Sequence, residues 1–414
     1  MNPHTPPPKS PRQPSASHPT GLSVPAHAPP TNAPAAHALL YLDVGARVGD
    51  FFTSLSNSRP TVVAVDTEGA SFHRFVDRIY LLQLSTREQS AIIDPLAVGP
   101  GALAPLGTLL QDPAVEVVFH DADYDLRLLH QDYGWHVTTI FDTRIAAQLL
   151  GVRAFGLAAL LDQYFGVKLE KKFQRADWSM RPLTPAMLDY AAQDTRYLLA
   201  LRERLRAELD AAGRWSWAAE EFARLEGTRW DPEDSGLAFL RVKGARDLTR
   251  RELAVLGELV RWRDALAAEQ DRATFRVVGN EALLEIARRR PDTREALASI
   301  HGMPRGIVDG RSDEVLAAVR RGHEVPEESL PRFPRAPRWD RDPDFDDRVA
   351  RLKSVRDAAA VRLHLDPGVL CSRERLEAIA RRRPASFKEI ESVPDMRRWQ
   401  VAELGGPMLD VLKA

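Results

Sequence analysis

From about residue 38 the apolar positions fall in short, nearly continuous runs. Thr61–Asp66 and Ile79–Leu84 read as buried strands, Ala91–Ile93 as a third and Val115–His120 as a fourth. After them the spacing lengthens to that of helix faces, which predicts helices over Leu126–Asp132, Thr143–Leu150, Gly156–Tyr164 and Pro185–Leu209. Strands followed by mixed strands and helices predict an α/β domain over 38–212, then a linker over 213–240. Past Trp230 the pattern is helical throughout.

The helical half repeats itself. Ile286-Ala-Arg-Arg-Arg-Pro291 returns as Ile379-Ala-Arg-Arg-Arg-Pro384, and at the same offset Arg263-Asp264-Ala265 meets Arg356-Asp357-Ala358, Leu283 meets Leu376, and Leu297 meets Ile390. Matching apolar and basic positions at one offset predict two copies of one all-α module, over 241–322 and 345–414. The Pro-rich stretch 323–344 reads as a linker between them, and residues 1–37, dominated by Pro, Ala, Ser and His, as a disordered tail.

Composition narrows the class. At 414 residues, 44% hydrophobic and 28% charged, the chain is an ordinary multidomain globular protein. One cysteine, Cys371, excludes a disulfide framework and Cys-rich metal sites, and fits a cytoplasmic protein. No apolar run is long enough to span a membrane, and no basic stretch followed by an apolar one suggests a secretory signal. The net charge of −1 hides a division. The two helical modules hold 17 basic against 13 acidic and 14 against 11 residues, which leaves the remainder at −8. An acidic body joined to mildly basic modules suits a metal site with a polyanion-binding region, although solvated helix faces would give the same balance.

The acidic body carries candidate chemistry. Asp66 and Glu68 end an apolar strand one residue apart, and i, i+2 positions of a strand share a face. Two adjacent anions there repel each other unless a cation sits between them, and hard oxygen ligands suit Mg2+ or Mn2+. Asp125 falls in the first turn of a predicted helix, where the dipole favours an anion. Asp121 and Asp123 compete for that role but also suit N-caps, and Asp142 suits a turn. Tyr190 and Asp194 lie four apart on one helix, so a phenol and a carboxylate are presented together. Four carboxylates can hold two divalent ions for phosphoryl displacement, and the phenol can orient water.

Asp66-x-Glu68, Asp125 and Tyr190-x-x-x-Asp194 resemble the three exonuclease motifs of the DEDD superfamily, in the branch with tyrosine in the third motif. More narrowly, Lys172-Phe-Gln174-Arg-Ala-Asp177-Trp178-Ser-Met-Arg181-Pro-Leu183-Thr is similar to the stretch before that motif in the ribonuclease D family, and the helical repeats resemble HRDC modules. The resemblance covers about 40–414; Ala176 stands where family members often have Ser. It implies a ribonuclease-H-like domain followed by two HRDC bundles. It also implies Asp66, Glu68, Asp125 and Asp194 as ligands of two Mg2+ or Mn2+ ions, with Tyr190 positioning the attacking water. Gln174, Asp177, Trp178 and Arg181 would lie near the site. Arg181 would meet a phosphate and Trp178 would stack on a base, unless the four merely brace the third-motif helix. His73 and Phe75 would line the terminal-nucleotide pocket. The Arg288–Arg290 and Arg381–Arg383 triplets would touch phosphates or simply end exposed helices.

The expected function is 3′→5′ exoribonuclease, releasing 5′-mononucleotides from single-stranded 3′ ends of structured RNA such as tRNA precursors. The expected protein is a cytoplasmic monomer with no membrane contact. A DNA 3′→5′ exonuclease in repair and an RNA-binding protein with a vestigial nuclease fold are the alternatives. The absence of a polymerase or helicase domain disfavours the first, and the complete residue set disfavours the second.

Overall fold

The computed structural model of the protein describes residues 38–170, 172–232, 235–334 and 342–413; the tail expected over 1–37 lies outside them. Six strands form one sheet in the order β1-β4-β3-β2-β5-β6: β1 Ala38–Leu42, β2 Val62–Glu68, β3 Leu81–Ser85, β4 Gln89–Ile93, β5 Glu116–Phe119 and β6 Ile140–Asp142. Only β3 runs against its neighbours. The four strands read from the sequence are all present, while β1, β6 and the helix Gly45–Ser58 are additions to that reading.

Alternation along β2 divides its side chains between two layers. Val63 and Val65 point into a core with Phe51, Phe52, Leu126 and Leu129, so the helices Gly45–Ser58 and Asp123–Tyr133 cover that face. Ala64 points into a second core with Leu160, Leu198 and Leu205, under the helices Leu157–Phe165 and Leu198–Ala211. Asp66 and Glu68 follow Ala64 on this second face. The long helix expected over Pro185–Leu209 is two, Pro185–Arg196 and Leu198–Ala211, separated at Tyr197.

The segment expected as a linker over 213–240 instead carries a helix, Trp215–Leu225, because Ala218 and Phe222 at i, i+4 are buried against Phe141. Beyond it the two helical modules match element for element. Arg250–Glu269, Thr274–Val277, Asn280–Arg289, Arg294–Ala298 and Arg305–Glu324 correspond to Phe345–Leu363, Pro367–Leu370, Arg373–Arg382, Phe387–Glu391 and Arg398–Lys413. Even the left-handed residues recur in register: Asp271 with His364, Arg290 with Arg383, and Gly302 with Asp395. The third arginine of each triplet therefore terminates its helix in the αL conformation.

Candidate active site

The ladder between β2 and β5 pairs only Val62–Ala64, so β2 continues past the end of its neighbour. Thr67 N–H on that side needs another acceptor. Asp125, in the first turn of the helix over the opposite face, provides it: its Oδ1 accepts from Thr67 N at 2.9 Å and from Thr67 Oγ1 at 2.6 Å. Asp125 is thereby brought from the far layer to the strand end that carries Asp66 and Glu68. Thr67, between the two carboxylates in sequence, is the residue that sequence reasoning missed.

The other face supplies the rest. Thr184 accepts from Met187 N and Pro185 occupies the first turn, which starts the helix Pro185–Arg196. Ala191 and Ala192 bury against Leu81 and Ile92, and this packing lays the Tyr190–Asp194 face along the sheet end. Carboxylate oxygens of Asp66, Glu68 and Asp194 lie within 4.8 Å of one another. Each residue keeps some surface at the mouth of the cleft, yet the groups are hemmed in by protein.

Their ionisation reflects that crowding. Burial first and then the charge of Asp194 raise Asp66 well above the usual carboxylate range; burial, then Asp66, Asp194 and Asp125, do the same to Glu68. Burial and Asp66 raise Asp125 despite the bonds from Thr67, and burial with Asp125 pushes Asp194 up to about 7. Burial, followed by the charges of Asp194, Glu68 and Asp66, raises Tyr190 as well. Oxygen donors at this spacing, destabilised as anions, fit a hard divalent cation that would relieve the repulsion.

The remaining candidates divide. Trp178 is 1% exposed and stacks on Tyr190 at 6.1 Å, with Phe173 edge-on to the same ring. The base-stacking role expected for Trp178 gives way to bracing the tyrosine. Arg181 donates to both oxygens of Asp94 and to the carbonyls of Tyr80, Trp178 and Met180, so its guanidinium is committed within the fold and the phosphate contact expected of it is corrected. Burial opposes the Asp94 charge, but hydrogen bonds and charge from Arg181 overcome it and lower the carboxyl. Asp177 accepts from the Ser179 backbone and hydroxyl. Gln174 is exposed, and Phe75, in the loop after β2, is 37% exposed. His73 Nε2 lies 3.1 Å from the Arg175 carbonyl, which ties the loop after β2 to the stretch before the third-motif helix.

Asp121 pairs with Arg144 and Asp123 with Arg127, both at the surface, and the residue before the helix at Asp123 is Ala122, which makes no side-chain cap. Neither is the N-cap that its residue type suggested. Asp142 does order a turn, accepting from Ala122, Arg144 and Ile145 backbone N–H. In the arginine triplets, Arg289 pairs with Glu285 and Arg382 donates to the Ser392 carbonyl.

A family model described as 3′-5′ exonuclease matches residues 46–210, and one described as HRDC domain matches 252–319 and 345–412. The ribonuclease D of Granulibacter bethesdensis is 33% identical over 324 residues, 78% of this chain and 81% of that one. The ribonuclease D of Escherichia coli is 34% identical over 274 residues, 65% of this chain and 71% of that one. The crystal structure of the Escherichia coli enzyme superposes with a TM-score of 0.69 at 25% identity, covering 91% of this chain and 99% of the other. With the motif geometry in place and this extent of likeness, the chain belongs to the ribonuclease D family of 3′→5′ exoribonucleases.

Proposed function

We propose that the cleft removes 5′-mononucleotides from single-stranded 3′ ends of structured RNA, tRNA precursors among them, with two Mg2+ or Mn2+ ions held by Asp66, Glu68, Asp125 and Asp194. The convergence of three carboxylates within 4.8 Å carries this reading, since such a cluster would otherwise repel a phosphodiester. What the ions supply is an acidified water and neutralisation of charge in an in-line displacement.

The chain's own groups do the remainder. Thr67 fixes Asp125, so one ligand is oriented before substrate arrives. Burial and the surrounding carboxylates keep the Tyr190 hydroxyl protonated, so at neutral pH it donates a hydrogen bond rather than serving as a base. Trp178 and Phe173 hold the ring in place for that donation. The carboxylates sit at a sheet end beneath a helix, and an end splayed away from a duplex would bring its terminal phosphodiester to them. The Escherichia coli relative is described as an exoribonuclease involved in structured RNA processing, which favours the same substrate class here.

A 3′-extended tRNA with Mn2+ or Mg2+ tests the proposal. The parent should release 5′-mononucleotides, faster than from a DNA oligonucleotide of identical sequence, while Asp66→Asn and Asp194→Asn should abolish release and remain folded. Parent-like degradation by either variant would refute the ligand assignment.

A further inference from the structure

β3 reads Leu81-Leu82-Gln83-Leu84-Ser85, a single amide among aliphatic neighbours. Gln83 is 1% exposed, and neither its side-chain oxygen nor its nitrogen has a hydrogen-bond partner among the described residues. Buried amides are almost always paired, because losing water without a replacement partner costs free energy. An unpaired one in a native fold calls for a specific reason.

Its register gives that reason. In the antiparallel ladder Gln83 stands directly opposite Asp66, and such pairs project to one face with β-carbons about 4.5–5.5 Å apart. On its other side it faces Ile92 of β4. The helix Pro185–Arg196 roofs this patch, since Leu81 and Ile92 pack on Ala191 and Ala192, and the Ser85 hydroxyl lies 2.8 Å from that of Thr195. Ser85 and Ser90 satisfy each other beside it, so these hydroxyls are paired while the Gln83 amide is not. An aliphatic residue would fill the same space. What it could not do is donate to the carboxylate opposite.

We propose that Gln83 is a positioning residue for the metal site: with cations bound, its amide nitrogen donates to the Asp66 carboxylate and fixes the orientation of that ligand. This rests on Asp66 being a ligand, and the test separates the two ideas. Mn2+ affinity of the full chain is measured by titration calorimetry for the parent, Asp66→Asn and Gln83→Met, with melting temperatures taken alongside. Met matches the volume of Gln and removes both polar atoms, so Gln83→Met should melt no lower than the parent. It should bind Mn2+ about ten- to hundred-fold more weakly, as when the support of a metal ligand is removed. Parent-like affinity in Gln83→Met, with binding lost in Asp66→Asn, would overturn the positioning role and leave the ligand reading standing. Parent-like affinity in Asp66→Asn would overturn both. Should Gln83→Met fail to fold, a structure of the parent with Mn2+ decides: the amide nitrogen within about 2.7–3.2 Å of Asp66 supports the role, and an amide still unpaired overturns it.

Discussion

The two helical modules share a fold down to their left-handed residues, yet they meet the exonuclease domain in opposite ways. The core of the second module is continuous with that of the exonuclease domain: Leu352, Ile379, Trp399 and Leu404 belong to one apolar cluster with Phe141, Leu160 and Phe222. Trp217 and Trp399 stack at 4.7 Å, Arg397 pairs with Glu221, and Glu220 accepts from the first backbone N–H groups of the helix Arg398–Lys413. The first module keeps a separate core around Leu256, Leu283 and Val315. It touches the exonuclease domain at the loop after β2, through Ala273 N to the His73 carbonyl, Arg74 with Asp271, and the edge-on ring pair Phe72–Phe275. Both modules present the same corner, the turn after their first helix, with His364 against Gly151 in one case and Asp271 against Arg74 in the other. One duplicated fold thus serves as a structural wall at the back of the exonuclease domain and as a neighbour of the loop after β2.

The comparison breaks most readily at Trp399. It is 5% exposed, stacked on Trp217, and its indole N–H donates to Glu221 at 3.0 Å. Trp399→Ala should cost about 3–5 kcal/mol, the usual loss for a large aromatic removed from a core, and should lower the melting temperature of the exonuclease domain together with that of the module. An unchanged melting curve would mean that the two do not share a core. The sequence reads 241–322 and 345–414 as modules joined to the α/β domain through linkers. Removing the second module takes Trp399 off Trp217 and leaves Glu220 and Glu221 without their partners, so the remaining fragment should melt below the full chain.

A second difference is electrostatic. Burial and neighbouring charge raise all four site carboxyls, Asp194 to about 7. Without metal, the folded chain holds protons that the unfolded chain has already lost between roughly pH 4 and 7. The sign follows: the contribution of these four groups to metal-free stability is fully present in acid and is lost as pH rises through the folded values. Melting temperatures in EDTA should therefore fall from pH 6 to pH 8, and Mn2+ should restore most of the loss at pH 8. Because Trp399 shares no partner with the site, Mn2+ should stabilise the parent and Trp399→Ala by similar amounts. A flat profile in EDTA would contradict the crowded-carboxylate geometry.

The sequence made some of this visible and hid the rest for physical reasons. Asp66 and Glu68 at i, i+2, and Tyr190 and Asp194 at i, i+4, are local spacings, so the period of strand or helix alone places them on one face. The repeat is equally local, and every helix of the second module lies at the offset read from the arginine triplets. Thr67 was invisible because its value lies in an acceptor fifty-eight residues away, supplied where β5 stops short. Arg181 looked like a phosphate ligand because a free guanidinium and one locked onto Asp94 read alike in sequence. The helix Gly45–Ser58 was overlooked because Gly, Thr, Ser and Asn weaken its propensity, although Val48, Phe51, Phe52 and Leu55 bury on one face. How each module docks lies in surface residues that differ between the copies, and no internal comparison reveals that.

The smallest effect concerns the first module. Phe275 is 51% exposed and Phe72 45%, with ring centroids 6.4 Å apart and Arg175 over the Phe72 ring. An exposed edge-on aromatic pair contributes about 0.5–1.5 kcal/mol, and the backbone bond from Ala273 to His73 survives its loss. Phe275→Ala should leave the melting temperature within a degree or two of the parent, since Phe275 lies outside the separate core that holds the module together. Its effect should appear locally, as faster amide hydrogen exchange over residues 70–78 and 271–277, with exchange around Trp217 and Trp399 unchanged. Loosening confined to the loop after Glu68 would show that the first module steadies that loop without stabilising the domain. A drop in stability approaching that of Trp399→Ala would instead make the two modules energetically equivalent, and the contrast between wall and neighbour would fail.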